Sequence, residues 1–492
     1  MEQLSANIVQ NEYEQYPERV IQFGTGNFLR AFLDWQVHVM NQHQLFRGRI
    51  VVVQSTKSGT VQTINQQDGL FTIYLQGIKE NNPVSEHEVV KSISRGINIT
   101  SEYEEYVALA SNPDLRFIFS NTTEAGISFH RDDTLDKPQS SFPGKLTAFL
   151  YKRYQVFNGD KSKGFIILPC ELIEDNGSEL KRIIVEYARL WKLDEAFISW
   201  LNEANTFCNT LVDRIVPGFP KDSIDQKITE LGYKDELIVV GEQFHLFVIE
   251  GPEYIKEEFP AELVGLNVHV VNDLRPFRLK KVRLLNGAHT LMSPVAYLIG
   301  LNTVYEAVTT ELSKNFIDHV LYKEIVPTLQ YNEQEVLDFA NDVMNRFKNP
   351  FIKHYLSSIS LNSIAKFKAR VVPTLKDYLD KYETVPKGIL FSLSALLLFY
   401  RGKREHEEIP LVDDEYVIKQ FHNAWDKYES EKLPLEQVVT IVLSDERLWG
   451  VDLSEINKLM DTVTDYLNRM IEKGVQEALI LFLKGEVNES VY

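Results

Sequence analysis

Three polar residues in the second half of the chain have the types and the spacing that proton transfer to a ketone requires. Lys281, Asn286 and His289 lie in DLRPFRLKKVRLLNGAHTLM, a segment whose pattern is otherwise helical. On a helix, Asn286 and His289 are neighbours at i and i+3. Lys281 lies one to two turns earlier, and its long flexible stem can bring the ammonium group to the same point. We therefore expect three polar groups to converge on one atom.

Reduction of a ketone by hydride transfer leaves a developing alkoxide, and this trio offers what an alkoxide needs. A lysine ammonium can supply the proton, and an asparagine amide can donate a stabilising hydrogen bond. His289 could orient the hydroxyl or carbonyl oxygen of the substrate. The spacing alone also allows a solvated lysine and a histidine satisfied in the core, so that alternative stays open.

A glycine-containing turn near the start of the sequence has the form of a phosphate cradle. In VIQFGTGNFLRAFLDWQVHVM, two glycines directly follow a predicted strand and precede a helical segment. A pyrophosphate needs a tight turn, a backbone without Cβ atoms and free N–H groups at a helix N-terminus. The residues that we expect to contact a nucleotide here are Phe23, Gly24, Thr25, Gly26, Asn27 and Phe28, with Gln54 at the end of the next predicted strand.

This turn departs from the usual dinucleotide fingerprint at two positions. Leu29 occupies the place of the third glycine, and the next strand ends at Gln54 rather than at an acidic residue for the ribose hydroxyls. An ordinary strand-to-helix turn and a methyltransferase cofactor loop therefore both stay open at this point.

The elements that must position these residues divide the chain into two parts. Over residues 19–251, apolar strand-like runs alternate with helical stretches, which is typical of a parallel sheet covered by helices. After about Asn272, long segments carry helical periodicity instead. Asn332 opens one of them as a candidate N-cap, and a second is predicted to run from Leu453 to its stop at Gly474. We predict an α/β fold with a dinucleotide-binding domain over residues 1–271 and a mainly α-helical domain over residues 272–492.

Composition and charge limit the partners of the protein. Of its 492 residues, 44% are hydrophobic and 25% are charged, as in an ordinary folded protein. The formal net charge of -18 disfavours nucleic acid and membrane surfaces. Cys170 and Cys208 are the only cysteines, which excludes a disulfide framework and a multi-cysteine zinc site. The sequence contains no GxSxG, HExxH or GxxxxGK[ST] motif, so hydrolase and ATPase functions lose support.

We also find no residue pattern typical of a targeting signal in the sequence. The first residues, MEQLSANIVQNEYEQYPER, are polar, so we expect no secretory signal. The longest apolar stretch, from Gly388 to Tyr400, is too short to span a bilayer and predicts a buried helix. We expect a cytoplasmic protein, and the sequence leaves its oligomeric state open.

The arrangement K-x4-N-x2-H, filled here by Lys281, Asn286 and His289, resembles the signature of the polyol-specific long-chain dehydrogenases, the mannitol dehydrogenase family. The likeness covers nearly the whole chain and includes the motifs GTGNFLRAF, SNTTEAGI, LVDRIVP and LLNGAH. The resemblance implies a Rossmann-like N-terminal domain that binds NAD, a helical C-terminal domain and a reaction in which no metal takes part. It also implies that Lys281 is the general acid and base, that Asn286 helps to hold the oxyanion, and that His289 positions the substrate.

The resemblance assigns further site residues. It implies that the cofactor also contacts Asn121, Thr122 and Thr123 of SNTTEAGI. Asp213 matches an active-site position of the family, although an ion pair with neighbouring Arg214 would explain it equally well. A non-catalytic nucleotide sensor would keep the glycine loop and the sheet, but it has no use for the lysine, asparagine and histidine trio.

Two departures from the mannitol-type pattern bear on the substrate. Leu172 stands where those members carry a polyol-binding asparagine, and Arg278 stands where they carry a glutamate. An arginine beside the site suits an anionic substrate, because a guanidinium can bind a carboxylate through two hydrogen bonds. Within the family, PCELIEDNG and SISLNSIAKFKAR most resemble the members that reduce keto acids derived from hexuronates.

We therefore expect a small keto-uronate substrate, tagaturonate in the first place, with its epimer fructuronate or the polyol mannitol as alternatives. Lys366 or Arg370, together with Arg278, is predicted to bind the uronate carboxylate. Lys368 is predicted to lie on the solvated face of a helix.

Overall fold

The structure, a computed structural model, divides the chain into two compact units. It describes residues 1–56, 58–79, 82–122, 126–136, 138–404 and 407–489, the last four of these as backbone. The first unit comprises Met1–Lys79 and Val84–Phe277, and the rest of the chain, chiefly the residues from Arg278 onward, belongs to the second. The domain boundary expected from the sequence, between residues 271 and 272, stays a prediction.

The centre of the first unit is a parallel sheet of six strands, as the alternating pattern predicted. Its spatial order is β5-β2-β1-β6-β7-β8, and every neighbouring pair is parallel. The strands are β1 (Glu18–Phe23), β2 (Arg49–Gln54), β5 (Ile93–Asn98), β6 (Phe117–Ser120), β7 (Ile166–Pro169) and β8 (Thr206–Phe207). From β1, the chain first adds β2 and β5 on one side and then β6, β7 and β8 on the other, so the strand order reverses between β1 and β6. In open sheets of this kind, ligands bind in the crevice at the carboxyl ends of the two strands between which the order reverses.

Both faces of this sheet are buried, which explains the apolar runs without polar alternation. In β2, Ile50 and Val52 pack into the hydrophobic cluster on one face, whereas Val51 and Val53 pack into the cluster on the other. Besides the helix that follows β1, the described part of the first unit contains the α-helices Val61–Gln66, Tyr103–Ala108, Phe142–Val156, Asn176–Leu190, Glu195–Ala204, Ile224–Leu231 and Ile255–Glu258.

The helix after β1 is not a plain α-helix. It begins as an α-helical turn over Asn27–Leu29, widens into a π-helical segment over Arg30–Asp34 and continues as an α-helix over Trp35–Gln42. Two smaller sheets complete the first unit, with the orders β10-β3-β4 and β12-β11-β9. Their strands are β3 (Phe71–Lys79), β4 (Asn82–Val90), β9 (Asn209–Asp213), β10 (Val239–Glu242), β11 (Leu246–Glu250) and β12 (Val268–Val271).

The second unit is mainly helical, which confirms the predicted fold class. The helix Arg275–Lys280 leads into it, and it contains π-helical segments over Lys281–Asn286 and His319–Ile325. Its α-helices are Gly287–Leu298, Val304–Thr309, Glu311–Asp318, Glu333–Phe347, Leu356–Ile359, Ser363–Arg370, Val372–Tyr382, Lys387–Phe399, Glu415–Ser430, Leu435–Leu443, Glu446–Trp449, Leu459–Lys473 and Val475–Glu489. Two strands of two residues, Lys403–Arg404 and Glu407–Glu408, form the remaining sheet.

Two local predictions for this unit are confirmed and one is wrong. The apolar stretch from Gly388 is a helix whose residues are buried through Phe399, and Asn332 caps its helix by accepting a hydrogen bond from the N–H of Glu335. The helical pattern read from Leu453 begins instead at Leu459, because Lys458 adopts the left-handed conformation with φ of 64° and interrupts it. In the described part of the chain, no helix combines the length and the apolarity that crossing a membrane demands.

Candidate active site

The glycine loop lies where β1 ends and the first helix begins. Gly24 has a φ of 128°, in the region that favours glycine, and a Cβ at this position would approach the carbonyl oxygen of Asn121 to 3.0 Å. A Cβ added at Gly26 would meet no atom within 4 Å. The turn is therefore tight at Gly24, and the space beside Gly26 is open, as a pyrophosphate cradle requires.

A cavity of about 330 Å³ opens at the carboxyl ends of β1, β2 and β6. Five of the residues predicted to contact a nucleotide line it: Gly24, Thr25, Gln54, Asn121 and Thr122. Phe23, Gly26, Asn27 and Phe28 are adjacent to this lining in sequence without forming part of it, and Thr123 lies outside the described residues. The cavity occupies the position at which dinucleotides bind to sheets of this topology.

Hydrogen bonds fix the loop after β6 beside the glycine loop. The amide of Asn121 donates to the carbonyl oxygen of Cys170 at 2.8 Å. The carboxylate of Glu171, which is 2% exposed, accepts from the backbone N–H and the hydroxyl of Thr122 at 2.9 Å each. Burial raises the pKa of Glu171, and these hydrogen bonds oppose the rise. Glu171 therefore holds a cofactor-lining loop in place, a role that its position in PCELIE did not indicate.

Gln54 is engaged by its own loop. Its amide group donates to the carbonyl oxygen of Thr56 at 2.9 Å, and its side-chain oxygen accepts from the N–H of Val61 at 3.3 Å. The neutral residue at the end of β2 thus shapes the turn that lines the cavity, in addition to facing it.

Sequence reasoning missed the far wall of the cavity, which comes from the segment before the helix Phe142–Val156. Asp133 organises this segment by accepting hydrogen bonds from the N–H and hydroxyl groups of Ser140 and Ser141. Burial alone would raise the pKa of Asp133, but these hydrogen bonds hold it at about 2. The additional lining residues are Ser55, Thr56, Gly126, Ser128, His130, Ser140, Ser141, Phe142 and Lys145.

Asp213 lies at the end of β9 in the first unit and is 6% exposed. The guanidinium of neighbouring Arg214 donates to the carbonyl oxygens of Glu242 and Ala31, at 2.8 and 2.7 Å, and stacks over the ring of Trp35. The role of Asp213 in the reaction stays a prediction.

In the second unit, Lys281 and Asn286 are the first and last residues of a π-helical segment. In an α-helix, with about 3.6 residues per turn, residues i and i+5 lie on different faces. The π-helix joins residue i to residue i+5, so it brings these two positions one above the other. The helix Gly287–Leu298 follows directly and carries His289. The predicted convergence of the trio thus depends on a wide turn that the helical pattern did not reveal.

The opposite side of this segment is anchored. Arg283, which is 6% exposed, donates to the hydroxyl of Thr374 at 2.6 Å and to the carboxylate of Asp377 at 2.9 Å. Lys280 forms an ion pair with Glu335 at 3.5 Å. These contacts fix the rotation of the segment that presents Lys281.

His289 is buried, and one of its ring nitrogens has no hydrogen-bond partner among the described residues. Its ring packs on Phe347 and, edge to face, on His354, with centroids 4.4 and 4.9 Å away. Within the described part of the chain, its Nε2 atom has no hydrogen-bond partner. A buried polar atom without a partner is costly, and a catalytic or ligand-binding role is one explanation for retaining it.

Positive charge surrounds His289. Burial lowers its pKa well below the ordinary value, and the interaction with His354 and the positive charges of Arg346, Arg370 and Lys366 lower it further. Arg370 donates a hydrogen bond at 3.4 Å to the hydroxyl of Thr290, which lies on the same helix as His289. Burial and then the charge of Arg370 lower the pKa of Lys366. The site therefore concentrates cations that an anion would stabilise.

Not every predicted cation belongs to this cluster. Lys368 is exposed and donates to the carbonyl oxygen of Arg447, as expected for a residue on the solvated face. Arg278 is partly buried at the junction before the trio. His354 and Arg346 were missed by sequence reasoning, since no motif connects them to Lys281. Among the described residues, no group of three or more His, Cys, Asp or Glu side chains could hold a metal ion.

The sequence matches two family profiles that together span most of its length. The profile described as the mannitol dehydrogenase Rossmann domain matches residues 18–262, and the profile of the mannitol dehydrogenase C-terminal domain matches residues 273–471.

Curated relatives match over nearly full length. Altronate oxidoreductase of Bacillus subtilis (strain 168) is 52% identical over 480 residues, which cover 97% of this chain and 98% of the relative. Altronate oxidoreductase of Escherichia coli O1:K1 / APEC is 43% identical over 467 residues, which cover 94% of this chain and 97% of the relative.

Solved structures show the same fold at low identity. D-sorbitol dehydrogenase in substrate-free form superposes with a TM-score of 0.79 at 20% identity and covers 96% of both chains. Mannitol 2-dehydrogenase of Pseudomonas fluorescens, in a ternary complex with NAD and D-mannitol, gives a TM-score of 0.68 at 19% identity and covers 98% of this chain and all of that one.

His289 is expected to stay neutral when the pH falls below 6.5, because burial and the neighbouring cations lower its pKa. In the unfolded chain the imidazole takes up a proton near pH 6.5, so its neutral form contributes stability above that pH, and the contribution is lost as the pH falls. NMR of protein with 15N-labelled histidine, assigned with His289→Gln, measures this directly. The His289 resonances should not follow those of added free histidine; a His289 that titrates together with free histidine would contradict the description of the site.

Proposed function

The chain belongs to the mannitol dehydrogenase family, and from that membership we propose that it is an NAD-dependent oxidoreductase interconverting tagaturonate and altronate. The observation that carries the proposal is the 52% identity, over 97% of the chain, with a relative named altronate oxidoreductase. The cations around His289 support the same substrate class, because altronate and tagaturonate are carboxylates whereas mannitol is neutral.

The residues of the first unit fit the dinucleotide. The open space beside Gly26 accommodates the pyrophosphate, and Thr25, Asn121 and Thr122 supply polar groups along the cavity. Gln54 at the end of β2 adds no positive charge that an extra ribose phosphate would need, which is consistent with NAD. When bound, NADH supplies the hydride that reduces the ketone.

Lys281 is proposed to protonate the oxygen of the reduced ketone, and to act as the base in the reverse direction. Asn286, one π-helical turn away, donates an amide hydrogen bond to the same oxygen and stabilises its developing charge. His289 is kept neutral by its surroundings, so its unpartnered Nε2 can exchange a hydrogen bond with a substrate oxygen without adding charge to the site.

Arg370 and Lys366, with Arg278, are proposed to bind the uronate carboxylate. Arg370 lies against the helix that carries His289, and the charges of Arg370 and Lys366 both act on the imidazole. Two cations at close range repel each other, and a carboxylate bound between them offsets that repulsion, which favours its binding. The positive charge that attracts a sugar acid therefore also disfavours a neutral polyol, which cannot compensate it.

The alternatives receive less support. Fructuronate and mannitol would use the same hydride chemistry, but the relatives at 52% and 43% identity are both named for altronate. A nucleotide sensor would need neither Lys281 nor the unpartnered atom of His289.

The substrate assignment can be tested by following NADH oxidation at its near-ultraviolet absorbance with tagaturonate, fructuronate and fructose in parallel. A chelator is added to each assay. We expect rapid, chelator-resistant turnover of tagaturonate and little turnover of the other two, because the relatives at 52% and 43% identity are both named for altronate. Faster turnover of fructuronate or fructose would overturn the substrate, and no turnover of any of the three would overturn the enzymatic function.

Replacing Lys281 with Met is expected to lower kcat by about 100-fold or more, the usual contribution of a positioned general acid. The dissociation constant of NADH should stay the same, because the cofactor-lining residues lie elsewhere in the chain. Stopped-flow turnover and fluorescence titration of NADH measure the two quantities. Turnover at the parental rate by a folded Lys281→Met variant would remove Lys281 from the mechanism.

Replacing Arg370 with Ala is expected to raise KM for tagaturonate about tenfold, the effect of losing one charge-assisted hydrogen bond. Lys368→Ala provides the matched control, since Lys368 lies on the same helix but is exposed. Its KM should equal that of the parent. Equal effects of the two substitutions, or an unchanged KM for Arg370→Ala, would show that Arg370 does not bind the carboxylate.

A further inference from the structure

We propose that Arg30 is a positioning residue for the cofactor: from inside the protein it holds the carbonyl group of Thr25 away from the cavity and thereby aims the N–H group of Gly26 at the dinucleotide. The inference rests on the proposed use of NAD and goes beyond it by assigning the affinity for NAD to a buried side chain.

The hydrogen bonds of the glycine loop carry this inference. The carbonyl oxygen of Thr25 accepts from Nη1 of Arg30 at 2.8 Å and from the hydroxyl of Thr60 at 3.0 Å. The carbonyl oxygen of Gly24 accepts from the side-chain amide of Gln22 at 3.1 Å. Both carbonyl groups are therefore held by donors of the protein.

The geometry of the peptide group turns these contacts into a statement about the N–H groups. In a trans peptide, the C=O of one residue and the N–H of the next point in opposite directions. Donors on the carbonyl groups of Gly24 and Thr25 therefore direct the N–H groups of Thr25 and Gly26 the other way. Gly24 and Thr25 line the cavity, and the position beside Gly26 is open.

Arg30 can do this because it is itself held rigidly. It is 3% exposed, and its Nη2 atom donates to the side chain of Asn27 at 2.8 Å. Burial lowers the pKa of Arg30 to about 10, opposed by the charges of Asp34 and Asp235, so the guanidinium stays charged at neutral pH. Its two terminal nitrogens contact the loop and the start of the helix at the same time, which one ammonium group cannot reproduce.

The π-helical segment Arg30–Asp34 places the guanidinium at this position. Side chains from other elements brace the segment: Arg214 donates to the carbonyl oxygen of Ala31 at 2.7 Å, and Ser92 donates to that of Asp34 at 2.7 Å. Wide turns of this type are rare and frequently lie at functional sites. Here the wide turn begins at the residue that contacts the loop.

A second buried arginine in the same unit, Arg153, is a control that distinguishes positioning of the glycine loop from stabilisation of the fold. Arg153 has no exposed surface and donates to the carbonyl oxygens of Ala110, Asn112, Leu115 and Lys163. These carbonyl groups precede β6 and β7, so they lie at the amino ends of the parallel strands, whereas the glycine loop lies at the carboxyl ends. Arg153 therefore resembles Arg30 in burial and in bonding, but its hydrogen bonds do not reach the glycine loop.

The test compares Arg30→Met, Arg30→Lys and Arg153→Met in the full-length protein. The measurements are the dissociation constant of NADH by fluorescence titration, KM for NADH and for tagaturonate, kcat at saturating NADH, and Tm. We expect Arg30→Met to weaken NADH binding about tenfold, as for the loss of one hydrogen bond from a charged donor, with kcat and KM for tagaturonate nearly unchanged. Arg30→Lys should recover part of the affinity, and Arg153→Met should lower Tm without changing NADH binding.

Two results would overturn the inference: unchanged NADH binding by Arg30→Met, or an equal loss of NADH binding in Arg153→Met. If Arg30→Met does not fold, Thr60→Val takes its place, because it removes the other donor to the carbonyl of Thr25 and should weaken NADH binding in the same direction. A parent protein that fails to bind NADH would contradict the proposed function itself, which distinguishes that failure from the failure of this inference.

Discussion

A peptide group carries its donor and its acceptor on opposite sides, and this constraint governs the first unit of the molecule. A loop that offers N–H groups to a pyrophosphate must bury the matching carbonyl groups, and buried carbonyl groups need donors. Gln22, Arg30 and Thr60 supply those donors from a strand, a helix and a neighbouring loop. The end of β1, the wide turn of the first helix and the residue before the helix Val61–Gln66 are therefore all tied to one short segment of backbone.

In the second unit, the governing factor is charge. The chain as a whole has a net charge of -18, yet the positive charges of Arg346, Arg370 and Lys366 act on the imidazole of His289. A local field opposite in sign to the net charge can attract an anionic substrate to a surface that otherwise repels it. Burial is the main reason that His289 stays neutral, and the same field adds to this effect, so the field contributes both to the attraction of a carboxylate and to the protonation state of a proposed substrate-binding residue.

Both candidate sites use a π-helical turn, for different purposes. In the first unit the turn begins at Arg30 and lets a guanidinium reach back to the loop that precedes its own helix. In the second unit the turn brings Lys281 and Asn286 to one face, although their spacing places them on different faces of an α-helix. In each case the surrounding contacts that stabilise the wide turn also decide where a functional side chain lies.

Local sequence patterns were sufficient for the features that depend on neighbouring residues. Apolar runs without alternation predicted the buried parallel strands, and the glycines after β1 predicted the open cradle. The pattern from Gly388 predicted a buried helix. These features follow from the type of each residue, which sets its tendency to be buried and the freedom of its backbone. The sequence also identified the family, since Lys281, Asn286 and His289 keep their spacing. It could not predict the π-helical turns or the approach of His354 and Arg346 to His289, because these depend on packing between segments far apart in the chain. Only the tertiary structure decided which cations share a site, since the distance between charges, and with it their effect on a pKa, is a property of the folded chain.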